Sequence, residues 1–63
     1  MPEISMRVIE LINRSGPVSI ADAEEALRVN KYTLRSHFRR LVQEGYLIPL
    51  GRGRATKYAL ASL

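Results

Sequence analysis

The stretch KYTLRSHFRRLVQEGYLIPLGRGRATKYAL, residues 31–60, decides the fold. It opens as a helix. Leu34, Phe38, Leu41 and Val42 recur at the spacing of one apolar stripe, while Tyr32, Arg35, Ser36 and Arg39 gather opposite it at i, i+3, i+4 and i+7. Gly45 is placed to end that helix, which predicts it over residues 31–44. Two short strands are expected next, at 46–50 and 56–60, joined by Gly51-Arg52-Gly53-Arg54-Ala55. Pro49 lacks an N–H for a ladder, so its strand belongs at a sheet edge.

Upstream of this stretch the pattern is helical twice more. Pro2 suits a helix start, Glu3 suits the positive end of the helix dipole, and Ile4, Val8, Leu11 and Ile12 form one buried stripe. A first helix is therefore predicted over 3–14. Ser15-Gly16-Pro17 stops it, with Gly16 expected in the left-handed conformation. Val18-Ser19-Ile20 is long enough only for a stub of strand. Ser19 then caps a second helix over 20–27, with Asp22 as a weaker version of the capping-box acid and Ile20, Ala23 and Leu27 inward. Arg28-Val29-Asn30 makes the turn into the third helix, and Asn30 is its expected cap.

Charge is divided along the chain. Residues 1–27 carry Arg7 and Arg14 against five acids (Glu3, Glu10, Asp22, Glu24, Glu25), a net of −3. Residues 28–63 carry eight basic side chains against Glu44 alone, a net of +7, which together give the +4 of the whole chain. The positive charges fall in two clusters, one on the third helix and one at the Gly-rich turn. A basic helix followed by a basic hairpin tip suits a duplex polyanion, with one element for a groove and one for the flanking backbone. Residues 28–43 hold five basic side chains and no acid, whereas an ordinary solvated helix mixes both signs.

Size and composition bound the alternatives. At 63 residues the chain is expected to be one domain, 1–63, burying only ~60% of the surface its unfolded form exposes. With no cysteine there is no disulfide framework and no thiolate metal site. No apolar run approaches the ~20 residues of a membrane span, and the N-terminus does not resemble a signal peptide. No membrane association is expected, and the expected location is the cytoplasm, at the nucleoid. No nucleophile–base set and no phosphate-binding Gly loop stands in the sequence, so neither an enzyme nor a cofactor is expected. Asp22 and Glu25 share a helix face but have no third ligand nearby, and are read as a solvated acidic face rather than a metal site.

The order helix, strand stub, helix, turn, helix, hairpin makes the expected class α+β: a winged helix-turn-helix with three helices and a two- or three-stranded antiparallel wing. The stretch GPVSIADAEEALRVNKYTLRSHFRRLVQEGYLIPLGRGRATKYAL resembles the core of bacterial and archaeal winged-helix transcription regulators, and the resemblance extends over residues 8–60. Its most specific pieces are RRLVQEGYL, running from recognition helix into wing, and GRGRATKYAL, the wing itself. ALRVNKY and PLGRGRATKYAL are similar to small regulators of fimbrial operons. Two positions depart from the usual pattern: Arg28 stands where the turn often holds Gly, and Glu24 stands where a small residue commonly faces the third helix.

The function expected from these readings is sequence-selective binding of double-stranded DNA by a small transcriptional regulator. Arg35 and Arg39 carry forked donors that match guanine acceptors in a major groove. Tyr32, Thr33 and Ser36 are candidates for a base edge, a thymine methyl or a phosphate, and Lys31 and Arg40 for phosphates at the margins. Arg52, Arg54 and Lys57 would grip the backbone or a minor groove. A winged helix used as a protein-interaction module, and a non-specific DNA binder, are the alternatives. Partners beyond DNA are a second copy of the chain or a protein met through the acidic N-terminal half. Ile9 and the tail Leu60-Ala61-Ser62-Leu63 are the apolar candidates for dimerisation. His37 is expected to pack half-buried near the core, and Tyr46 and Tyr58 to pack across the wing strands.

Overall fold

The computed structural model describes residues 1–53 and 56–61. Three helices, α1 (Glu3–Ser15), α2 (Ile20–Leu27) and α3 (Lys31–Gln43), precede an antiparallel hairpin of β1 (Leu47–Leu50) and β2 (Lys57–Leu60). This is the winged helix-turn-helix architecture expected from the sequence. No helix among the described residues is long and apolar enough to cross a membrane.

The core forms where the helical stripes meet the inner face of the hairpin. Val8, Leu11 and Ile12 of α1, Ala23 of α2, and Leu34, Phe38 and Leu41 of α3 close over Val18 and Leu47. Each large side chain buried here contributes roughly 1.5–3 kcal/mol of transfer free energy. Ile4, Ile20, Leu27 and Val42 pack half-buried around that centre. Among the described residues Ser5 is the one buried polar side chain, and its Oγ lies 2.9 Å from Nδ1 of the half-buried His37. That contact ties α1 to α3 and lets a hydroxyl sit inside without the cost of an unmade hydrogen bond.

Caps fix the angles between the helices. Ser19 and Asp22 form a full capping box: the Asp22 N–H donates to Ser19 Oγ and the Ser19 N–H donates to Asp22 Oδ2, both at 3.0 Å. Asn30 Oδ1 accepts from the Tyr32 N–H at 2.7 Å, as its position in the sequence suggested. Glu24 reaches across the turn, and its Oε2 accepts from the Lys31 N–H at 3.2 Å. The unusual acid facing the third helix is thus a second cap for α3. At the other end of α2, Arg7 donates from Nη2 to the Leu27 carbonyl at 3.3 Å, placing a cation at the negative end of that helix.

Several expectations need correction. Arg28 takes the turn with φ 56 and ψ 42, so the position that often holds Gly does demand the left-handed conformation, and an arginine adopts it. Gly16 has φ 88 but ψ −170, outside the left-handed helical region and in one open essentially to glycine. The first helix runs to Ser15, whose Oγ donates back to the Leu11 carbonyl at 2.8 Å. The third stops at Gln43 rather than Glu44, because the chain enters a Schellman turn there. The Gly45 N–H donates to Val42 O and the Tyr46 N–H to Leu41 O, with Gly45 at φ 85. With its N–H spent on that turn, Tyr46 does not enter the sheet as a strand residue.

The hairpin register pairs Leu47 with Leu60, Ile48 with Ala59, Pro49 with Tyr58 and Leu50 with Lys57. The strand stub is a single bridge, in which Val18 and Tyr58 exchange both backbone hydrogen bonds at 3.1 and 2.8 Å. Because the N–H and C=O of Tyr58 go to Val18, Pro49 opposes Tyr58 across a non-hydrogen-bonded pair and needs no N–H toward β2. β2 is therefore central and β1 is the edge strand. The two wing tyrosines do not meet. Tyr58 points inward, edge-on to Phe38 with ring centroids 4.9 Å apart, whereas Tyr46 is exposed.

Candidate nucleic-acid interface

Helix α3 carries Lys31, Arg35, Arg39 and Arg40 and no acid within its length. Burial of Leu34, Phe38 and Leu41 turns the opposite side outward, so Lys31, Tyr32, Thr33, Arg35, Ser36, Arg39 and Arg40 are all exposed. Lys31, Arg35 and Arg39, spaced by four, form one row along the flank of α3 nearest the wing. They line an open cleft of about 670 Å³. Its other walls are the start of α2 (Ser19, Ile20, Ala21) and the wing residues Pro49, Gly53 and Thr56. Glu24 sits at the same cleft, beside the Lys31 amide it caps. Lys31, expected at the margin, belongs to the central row.

Tyr32 is 66% exposed at the first turn of α3. Lys31 Nζ lies 5.5 Å and Arg35 Cζ 5.9 Å from its ring centroid. Such contacts contribute about 0.5–1 kcal/mol at exposed sites, enough to favour one rotamer of a long cation over others. Ser36 Oγ donates to the Thr33 carbonyl at 2.9 Å, so its hydroxyl is held against the helix while retaining acceptor capacity. Arg40 points round the helix from the row, with Nε 3.8 Å from Glu44 Oε2. The acid of that i, i+4 pair lies one residue past the helix end, so α3 itself holds no acid.

At the hairpin tip Arg52 is exposed between Gly51 and Gly53, both at positive φ. Thr56 closes the loop, its N–H and Oγ1 both donating to the Gly53 carbonyl, at 3.2 and 2.8 Å. Arg54 and the tail residues Ser62 and Leu63 lie outside the described residues. Lys57 pairs opposite Leu50 and alternates with the inward Tyr58, which puts it on the outer face of the wing, away from the cleft. The structure thus brings Lys31, Arg35 and Arg39 together, sets Tyr32, Thr33, Ser36 and Arg40 round the same exposed surface, and separates Lys57 from them. Gln43, next in the row after Arg39, also lines the cleft and was missed because it carries no charge. The i+4 spacing 31, 35, 39, 43 was the available signal.

Comparison with known proteins agrees with this architecture. No protein-family model matches the sequence, and no curated protein matches it. Two solved structures do share its shape. The crystal structure of the apo-Zalpha of zebrafish PKZ superposes with a TM-score of 0.88 at 21% identity, covering 95% of this chain and 94% of that one. The DIP2311 protein from Corynebacterium diphtheriae superposes with a TM-score of 0.83 at 22% identity, covering 94% of this chain. This chain corresponds to 11% of that second protein's length. The fold is a winged helix.

Proposed function

We propose that this chain is a small transcriptional regulator that binds double-stranded DNA sequence-selectively and acts by binding rather than by catalysis. Helix α3 enters the major groove, and the wing tip grips the adjacent backbone or minor groove. The observation that carries this reading is the row Lys31, Arg35 and Arg39. It presents three cations on one face of an acid-free helix, beside a hairpin whose tip carries Arg52. Arg35, steadied by Tyr32, and Arg39 read base edges, while Lys31, Arg40 and Arg52 neutralise phosphates. Tyr32, Thr33 and Ser36 supply the polar surface that non-specific coating of DNA does not require. The resemblance of RRLVQEGYL and GRGRATKYAL to winged-helix regulators supports a role in transcription, and the likeness of ALRVNKY to regulators of fimbrial operons supports a role at such promoters in the cytoplasm. Repression would come from occluding a promoter, and activation from a protein recruited through the acidic N-terminal half.

Selection from a random duplex library at near-physiological salt tests the proposal, and the expected result is enrichment of one motif. Arg35→Ala should relax base preference at one position, by about 1–3 kcal/mol of discrimination. Arg52→Ala should weaken binding to all sequences and make the dependence on salt shallower. Binding without enrichment would leave a non-specific DNA binder, and absence of binding would favour a protein-interaction module.

A further inference from the structure

Among the described residues, Glu24 is the one acid lining the cleft that Lys31, Arg35 and Arg39 also line. Its side chain is half-buried and is held by the 3.2 Å hydrogen bond that Oε2 accepts from the Lys31 N–H. Among the described residues no lysine or arginine side chain pairs with it, and Oε1 accepts no hydrogen bond. A neutral amide could accept the same N–H, and Asn30 already serves the next amide of α3, that of Tyr32. The cap accounts for one oxygen and for none of the charge.

The other oxygen stands where a reading group is wanted. The first residues of a recognition helix meet base edges in a major groove, and Glu24 is bonded to the first residue of α3. A carboxylate oxygen only accepts, so phosphates repel it. Guanine and thymine repel it too, because their major-groove edges present acceptors and no donor. Adenine sets the acceptor N7 beside its N6 amine, whereas cytosine offers its N4 amine with no acceptor beside it. Cytosine is the base that fits. We infer that Glu24 is a specificity-determining residue whose Oε1 accepts from the N4 amine of a cytosine near the base read by Arg35, a role that rests on the DNA-binding reading above. Residues 31 and 35 are one turn apart on α3, ~6 Å along its axis, which spans between one and two base-pair steps of ~3.4 Å. An acceptor beside a forked donor therefore matches cytosine and guanine at neighbouring positions, a pattern that cations alone do not read.

Selection with the wild-type chain should enrich a motif with a cytosine within two base pairs of the position that Arg35→Ala relaxes. Glu24→Gln keeps an oxygen for the Lys31 amide and turns an NH2 outward, so it should melt with the wild type. Selection with that variant should return the same motif with cytosine lost at this one position. Changing the cytosine to thymine, which replaces the amine by an acceptor oxygen, should weaken wild-type binding about tenfold, the worth of one hydrogen bond to a charged group. The same change should not weaken binding by Glu24→Gln. The ratio of affinities for the two duplexes is the readout, because removing a negative charge tightens binding to every sequence alike and leaves that ratio unmoved. The wild-type ratio is informative by itself should the variant fail to fold: a value near one would overturn the inference. An enriched motif that is identical for wild type and Glu24→Gln would also overturn it, making Glu24 a cap alone and leaving the DNA-binding reading intact. If the wild type enriched no motif, that reading would fall and the role of Glu24 with it.

Discussion

Helices α2 and α3 pack against each other but are built to opposite specifications. Helix α2 has eight residues, three of them acidic and none basic, and two of those acids, Asp22 and Glu24, are turned to holding position. Ser19 and Asp22 lock its start, Glu24 caps its neighbour, and its last carbonyl, from Leu27, is met by Arg7 of α1. Helix α3 has thirteen residues and four cations, and only one of those, Arg40, has an ion-pair partner among the described residues. Its buried side, Leu34, Phe38 and Leu41, anchors it in the core, to which α2 contributes Ala23. What separates the two is the outward side: α2 uses Asp22 and Glu24 within the molecule, and α3 leaves most of its cations uncommitted.

Substitutions should respect that contrast. The largest expected effect is Phe38→Ala, which empties the centre of the core and removes the partner of Tyr58. It should cost about 3–5 kcal/mol, enough to unfold much of a domain this size, and thermal unfolding followed by circular dichroism measures it. On the outward side of the same helix, Arg39→Ala should leave the melting temperature within the equivalent of ~0.5 kcal/mol while lowering affinity for duplex DNA. A parallel fall in melting temperature would mean that the row on α3 is structural and that the contrast with α2 fails.

Ser19→Ala, on α2, should do the reverse, costing about 1 kcal/mol of stability while leaving the affinity of the folded fraction unchanged. Its partner Asp22 adds a dependence on pH. The Ser19 amide first, then the Ser19 hydroxyl, with a smaller contribution from Lys57, holds the Asp22 carboxyl below its ordinary value of 3.8. A folded-state value lower than the unfolded one means that this stabilisation is fully present above the unfolded value and is lost as pH falls through the folded one. The melting temperatures of wild type and Asp22→Asn should therefore differ at neutral pH and converge in acid, below about pH 4. The smallest change is a gain. Arg28→Gly relieves a left-handed residue and should stabilise by up to about 1 kcal/mol, read as a rise of a few degrees in melting temperature.

Much of this was legible in the sequence because it depends on periods and neighbours. The alternation of apolar and basic residues along 31–43 fixed both sides of α3, and Ser19 with Asp22 announced their own cap. What escaped depends on how elements meet. Ser5 looks like a surface serine until His37 is placed above it by the packing of α1 on α3. Glu24 looks misplaced until the turn at Arg28 brings the Lys31 amide within its reach. The facing of the wing was hidden for a different reason: Leu47-Ile48-Pro49-Leu50 has no polar residue to mark the outside, so only the register with β2 shows Ile48 and Leu50 turned out and Lys57 turned away from the cleft.

The bridge between Val18 and Tyr58 divides the hairpin into unequal halves. Tyr58 is held on one side by Val18 and from below by Phe38, so β2 is joined to the helical body through backbone and core together. β1 is joined chiefly through its pairing with β2 and the single buried side chain of Leu47. Fluctuations that open the edge strand can occur while the bridge stays closed, but the bridge cannot open without loosening the core. In a hydrogen-exchange time course, the amides of Val18 and Tyr58 should keep pace with those in the middle of α3, while the Ile48 amide exchanges ahead of them. The hinge of the wing then lies within the hairpin, between its two strands, and not where the hairpin leaves the third helix.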